Sequence, residues 1–112
     1  FESGNVHFLQ IIRYIHRHYA DDLSLNTLAE VLHMTPGYVS RLFIRESGTT
    51  YRKYLTELRV EKAKELLATT SLSIAEVCDR VGFNDYFHFL KTFKRLTGTS
   101  PGKYAGGASE GF

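Results

Sequence analysis

The sequence predicts an all-α chain in which two helix-turn-helix units stand in tandem, joined by one long helix. Three observations carry this. Apolar residues recur at three- and four-residue steps through most of the chain, and strand signals are poor. The two prolines, Pro36 and Pro101, both sit at boundaries between elements. The two halves of the chain repeat each other at a nearly constant offset.

The elements follow in order. Phe8, Ile12, Ile15 and Tyr19 mark a first helix over about Val6–Tyr19, interrupted by Asp21 and Asp22. Ser24 caps a short helix, about Leu25–Leu32, whose apolar face is Leu25, Leu28, Ala29 and Leu32. Thr35-Pro36 opens a third helix, which buries Val39, Leu42 and Phe43 and ends at Gly48. The longest periodic stretch, about Thr50–Ala68, has Tyr51, Leu55, Val60, Ala63, Leu66 and Leu67 as buried candidates. Arg59 falls in that stripe and is expected to be paired, because a partly buried guanidinium needs acceptors. Ser73 then caps a short helix, about Ile74–Val81, and Gly82-Phe83 makes a turn. Asn84 or Asp85 caps a last long helix, about Asp85–Leu96, which Gly98 ends. Ser100-Pro101 leads into a final turn.

The repeat is what turns a list of helices into an architecture. Ser24, Leu25, Leu28 and Ala29 align with Ser73, Ile74, Val77 and Cys78 at an offset of 49. Val39, Phe43 and Gly48 align with Phe89, Phe93 and Gly98 at an offset of 50, and GTTYRKY echoes GTSPGKY. One extra residue therefore enters the second copy, in the turn. Two helices that cross steeply need a small residue at the crossing, and Ala29 and Cys78 supply it. The tight turn favours glycine. Gly82 meets that need, whereas copy one has His33, so His33 must tolerate the turn or the turn must differ. The expected organisation is a first subdomain over 1–48, a linking helix over 49–69, a second subdomain over 70–105 and a disordered tail over 106–112.

Bulk properties narrow the classes. With 43% hydrophobic residues the 112-residue chain can bury a core. Fourteen Lys and Arg against twelve Asp and Glu give a net charge of +2, which permits nucleic-acid binding without arguing for it. A single cysteine, Cys78, excludes an internal disulfide and is most simply a small core residue. No apolar run approaches the ~20 residues of a membrane span, and no signal peptide is visible. The chain begins at Phe1 rather than Met, and is expected to be a fragment of a longer protein. Enzymatic chemistry has little to stand on. His16 and His18 lie two apart on a helix and so on different faces, and His7 and His33 lack ligand-spaced partners. No metal or cofactor is expected, and no catalytic residue is assigned. A helical bundle that only binds other proteins remains the competing class, separable by whether the chain binds duplex DNA in a salt-dependent way.

The stretches LSLNTLAEVLHMTPGYVSRLFIRESG, YLTELRVEKAKELL and SIAEVCDRVGFNDYFHFLKTFKRLTGTSP resemble the C-terminal DNA-binding domain of AraC-type (AraC/XylS) transcription regulators. The likeness covers about Val6–Tyr104, and the run from Val81 to Pro101 is its most specific part. The resemblance implies seven helices in a homeodomain-like tandem helix-turn-helix fold. It also implies sequence-specific binding to promoter DNA in bacterial, cytoplasmic transcription control. Regulators of this type also contact RNA polymerase. They join this domain to a sensory, dimerisation or receiver domain. The isolated domain is expected to be monomeric, with dimerisation left to the full-length protein.

A major groove admits one α-helix and shows a distinct edge for each base pair. Successive grooves on one face lie ~34 Å apart, and a linking helix of about 19 residues is ~28 Å long. On the first recognition helix the resemblance places base-facing positions at Gly37, Ser40 and Arg41. Arg41 is the strongest candidate, since a guanidinium can grip guanine bidentately or bind phosphate. On the second the matching set is Tyr86, Phe87, His88 and Lys91. Phe87 or Tyr86 suits a thymine methyl, and the alternative for Phe87 or His88 is to close the core beside Phe89. Arg45, Lys94, Arg95 and Lys103 are phosphate candidates, with Thr49, Thr99, Arg52 and Lys53 weaker ones.

Overall fold

The computed structural model describes residues 5–110, and side chains for residues 5–106. Among the described residues there are seven α-helices and no strand: α1 Val6–His18, α2 Leu25–Val31, α3 Pro36–Ser47, α4 Tyr51–Thr69, α5 Ile74–Arg80, α6 Tyr86–Thr97 and α7 Pro101–Glu110. The chain divides into two compact units between Thr56 and Glu57, inside α4.

In the first unit, Asn5 starts α1 by accepting the Phe8 N–H at 3.0 Å. The buried row of α1 is Phe8, Ile11 and Ile15. Ile11 thus takes the place expected of Ile12, which is only half-buried, and Tyr19 is the C-cap. Ile11 and Ile15 lie to one side of Phe8 on the helix surface and Ile12 to the other, so the core sits off-centre in the apolar stripe. Ser24 caps α2, where Leu28 and Ala29 are buried while Leu25 and Leu32 are half-buried. Thr35 caps α3 with Pro36 in its first turn. Phe43 is the hub of this unit. Its ring lies 5.5 Å from Phe8, 6.2 Å from Tyr51 and 5.3 Å from Tyr54. The Tyr51 hydroxyl donates to the Leu23 carbonyl and so ties the start of α4 to the loop before α2.

In the second unit, Ser73 and Glu76 form a reciprocal capping box at the start of α5. Asp85, rather than Asn84, caps α6. Val60, Ala63 and Leu67 of α4 join Val77, Cys78, Val81, Phe83, Phe89 and Phe93 in the core. Leu66 is only half-buried. The step from Leu55, buried in the first unit, to Val60 is five residues, which breaks the three-four rhythm. The linking helix therefore gives a separate buried row to each core, not one continuous stripe. Arg59, half-buried, is engaged in an interaction, as its place in the stripe requires.

The two turns are the same turn. In copy one, His33 N–H bonds the Glu30 carbonyl and Met34 N–H the Ala29 carbonyl, at 3.2 and 2.9 Å. In copy two, Gly82 N–H bonds Asp79 and Phe83 N–H bonds Cys78, at 3.2 and 3.1 Å. The central residue is left-handed in both, φ 57° at His33 and 97° at Gly82, so His33 accepts the conformation that glycine takes freely. The extra residue of copy two is Asn84, which lies after this turn and before the Asp85 cap.

The repeat runs further than the apolar pattern shows. The Ser47 hydroxyl lies 2.6 Å from the Phe43 carbonyl and 3.1 Å from the Thr49 carbonyl, and accepts the Thr49 N–H. Thr97 does the same with Phe93 and Thr99, at 2.8 and 2.9 Å. Gly48 and Gly98 are both left-handed C-caps. Thr50 then receives the Lys53 N–H and Ser100 the Lys103 N–H, each at 3.2 Å. α7 thereby repeats the first turn of α4, and Tyr104 meets Phe93 edge to face as Tyr54 meets Phe43. What was expected as a final turn followed by a tail from residue 106 is a helix through Glu110. Ser100 and Pro101 nucleate it. The rest of that tail, 111–112, lies outside the described residues.

Candidate nucleic-acid interface

On α3 the core row Val39, Leu42 and Phe43 leaves the opposite side of the helix free. Gly37 and Arg41 are exposed there and Ser40 is half-buried at its flank. The Arg41 guanidinium lies back over Gly37, its Nη1 3.1 Å from where a Cβ at position 37 would stand. This is the ordinary direction of a long helical side chain, toward the preceding turn. Among the described residues no carboxylate pairs with Arg41, so its five donors remain available. Tyr38 is held differently. Its hydroxyl meets His7 Nδ1 of α1 at 2.7 Å, with the rings edge to face. Arg45 is exposed but meets Glu46 at 3.4 Å, a surface pair worth little against a competing phosphate.

On α6 Phe87 stands on the side opposite Phe89 and Phe93, while Tyr86, in the first turn, falls on their side of the helix. Phe87 is 73% exposed and Tyr86 39%, with their rings 5.8 Å apart. Phe87 is therefore not a core residue, and its ring stands open to solvent beside Tyr86. His88 is exposed yet leans on buried Phe83, ring to ring 5.8 Å. Its backbone N–H is taken by the Asp85 cap. Lys91, Lys94 and Arg95 are exposed on the same helix.

Gly98, Thr99 and Ser100 with Lys94 and Lys103 line a cleft of about 140 Å³ where α6 hands over to α7. Two lysines and the first turn of a ten-residue helix line it, an arrangement suited to a phosphate. The cleft brings Lys94, Thr99 and Lys103 together and adds Ser100, expected from the sequence only to lead into a final turn. At the matching position of Lys94, copy one carries Ile44, half-exposed. Thr49 is not brought into a comparable position. Its hydroxyl oxygen is buried without a partner among the described residues, and its N–H is held by Ser47. Arg52 and Lys53 are exposed at the start of α4.

Cys78 is buried and its thiol is pushed up by that burial, then by Asp79 and Asp85. It faces the Phe83 carbonyl at 3.6 Å and helps close the turn. Among the described residues no group of three or more His, Cys, Asp or Glu side chains is placed to hold a metal. No described helix is long and apolar enough to cross a membrane.

A helix-turn-helix domain family model matches residues 28–106. The Msm operon regulatory protein of Streptococcus mutans is 33% identical over 102 residues, which is 91% of this chain and 37% of that protein. Across the curated relatives compared, the chain spans 12% to 43% of their length. The C-terminal domain of AraT, a response regulator from Geobacillus stearothermophilus, superimposes with a TM-score of 0.89 at 36% identity, covering 93% of this chain and 87% of that one. The DNA-binding domain of the global transcriptional factor AdpA, solved in complex with a target DNA, gives 0.86 at 26% identity, covering 91% and 92%.

Proposed function

Because the chain belongs to the AraC-type family of helix-turn-helix DNA-binding domains, we propose that it is the promoter-reading part of a larger bacterial regulator. Each recognition helix enters a major groove, and the two grooves are successive turns on one face of the duplex. The observation that carries this is the pair of exposed faces, Gly37–Arg41 on α3 and Tyr86–Lys91 on α6, each presented by a unit that repeats the turn and the helix-end joint of the other.

The faces divide the work. Arg41 and Ser40 read by hydrogen bonds, Arg41 with the reach of a side chain that Gly37 leaves uncrowded. Tyr86 and Phe87 read by apolar contact, with His88 and Lys91 at the base edges. The Lys94–Lys103 cleft anchors a phosphate and Arg45 and Arg95 add cationic contacts. On this reading the domain works in the cytoplasm, is monomeric by itself and acts beside RNA polymerase. Signal sensing, dimerisation or phosphorylation is left to the remainder of the regulator.

The test is selection of a binding site from random duplexes, followed by titrations at two salt concentrations. Arg41→Ala is expected to cost ~1–3 kcal/mol of specific binding and to relax preference at one base position. Lys94→Ala is expected to weaken all sequences alike and reduce the salt slope by about one. An Arg41→Ala protein with unchanged affinity and unchanged preference overturns the assignment of that residue. A chain without salt-dependent duplex binding overturns the whole reading in favour of a protein-interaction module.

A further inference from the structure

A second concave surface lies in the first unit, between α1 and the end of α2 with its turn. It encloses about 520 Å³, a size that admits a large side chain and its flanking peptide. Its floor is apolar, made by Tyr14, Val31 and Leu32, and Val31 is 45% exposed. Its rim is cationic. Arg13 and Arg17 stand four residues apart on one face of α1, both exposed, and neither is paired with a carboxylate among the described residues. His18 and His33 complete the rim, His18 held by Asp21 at 2.9 Å and stacked on Tyr14 at 4.3 Å. No carboxylate lines the cleft.

We infer that this cleft is a docking groove for an acidic peptide segment that carries an apolar side chain. The apolar side chain covers Val31 and Leu32, and flanking carboxylates meet Arg13 and Arg17. Charge complementarity selects the occupant: two unpaired guanidiniums favour anions, and of anions a carboxylate-bearing peptide also supplies the apolar group that the floor requires. A DNA backbone supplies only the charge. Position argues the same way. α1 packs on the Val39–Phe43 side of α3, through Phe8 and Phe43, whereas Gly37 and Arg41 lie half a helical turn away. The groove is therefore behind the face proposed for base reading, and both surfaces can be occupied together.

The experiment is amide NMR titration of the chain with a short synthetic peptide of aspartate and glutamate around one phenylalanine. A duplex DNA titration runs in parallel. The expected result is shifts at Arg13, Arg17, Leu32 and His33, and weaker binding when serine replaces the peptide's phenylalanine. Arg13→Glu combined with Arg17→Glu is expected to weaken the peptide about tenfold, and Arg13→Ala combined with Arg17→Ala to leave duplex affinity within about twofold. Both positions are exposed, and Arg13→Ala with Arg17→Ala provides a milder pair should charge reversal harm folding. Shifts confined to α3 or α6, indifference to the phenylalanine, or unchanged peptide affinity in both double variants overturns the proposal. A parallel loss of duplex binding in the alanine pair also overturns it, and makes the groove a phosphate surface. Since peptide and duplex are read separately, failure of the groove and failure of the DNA-binding role are distinguishable.

Discussion

His33 and Gly82 hold the same left-handed turn with different side chains, and the difference has a measurable cost. An L-residue in that conformation carries roughly 1–2 kcal/mol of strain. Gly82→Ala is therefore expected to destabilise the chain by about 1–2 kcal/mol, while His33→Gly is neutral or stabilising by up to about 1 kcal/mol. Denaturant melts of the two variants check both signs. Thr49 allows a cleaner separation of stability from binding. Its buried, unpartnered hydroxyl carries a desolvation penalty that an isosteric methyl group lacks. Thr49→Val is expected to raise stability by about 1 kcal/mol and leave duplex affinity unchanged. A drop in affinity common to all duplex sequences would restore Thr49 as a phosphate ligand.

At the scale of elements, the short helices α2 and α5 depend on their caps, because seven residues are too few to be stable by propensity. The two are capped unequally. Ser24 caps α2 with Thr27 beside it, whereas Ser73 and Glu76 of α5 bond each other's backbone N–H groups. Ser73→Ala is expected to cost about 1 kcal/mol, seen in thermal or denaturant unfolding. The Glu76 carboxyl is held below the usual carboxylate range, first by the Ser73 backbone N–H, then by the Ser73 side chain, with Arg80 helping. A depressed folded-state pKa gives stability that is present above the unfolded value, near 4.5, and is lost as pH falls through the lower folded one. Glu76→Gln should therefore flatten the acid limb of stability against pH and leave the neutral region little changed. An acid limb identical to that of the parent protein would show that this cap does not titrate with folding. The hydroxyl joints at Ser47 and Thr97 act at the same scale, since each stitches the end of a recognition helix to the start of the next element.

For the molecule as a whole, each unit has its own aromatic hub, Phe43 in one and Phe93 in the other. Truncating either to alanine removes a fully buried ring and is expected to cost about 3–5 kcal/mol. Hydrogen exchange should distinguish them, Phe43→Ala raising exchange most in α1–α3 and Phe93→Ala most in α5–α7. Equal loss of protection throughout both units would mean that they unfold as one body. The same two variants bear on function, because a chain with one ordered reader should retain non-specific duplex binding with a shallower salt dependence.

How much of this was legible in the sequence depended on the range over which each feature is determined. Helix positions, the repeat and the α-helical class follow from local rules: apolar periodicity, hydroxyl caps, proline at the start of a helix and glycine at its end. The choice of Arg41 and Lys94 as surface groups was equally legible, because a core row at Val39 and Phe43 or at Phe89 and Phe93 dictates which face points outward, whereas Phe87 stayed open between surface and core until the fold placed it. Other features were decided by tertiary packing. Ile11 displaced Ile12 because neighbouring elements set which flank of the stripe is covered. Tyr38 was drawn to His7, thirty-one residues away, by a hydrogen bond that no local pattern encodes. Thr49 looked like a free hydroxyl and was enclosed. The Lys94–Lys103 cleft and the Arg13–Arg17 groove exist only once separate segments meet. The two tandem units are thus a property of the sequence, since each helix is specified within its own few turns. The shape and charge of the surfaces that bind are a property of the fold, because they are made by residues from different helices brought together.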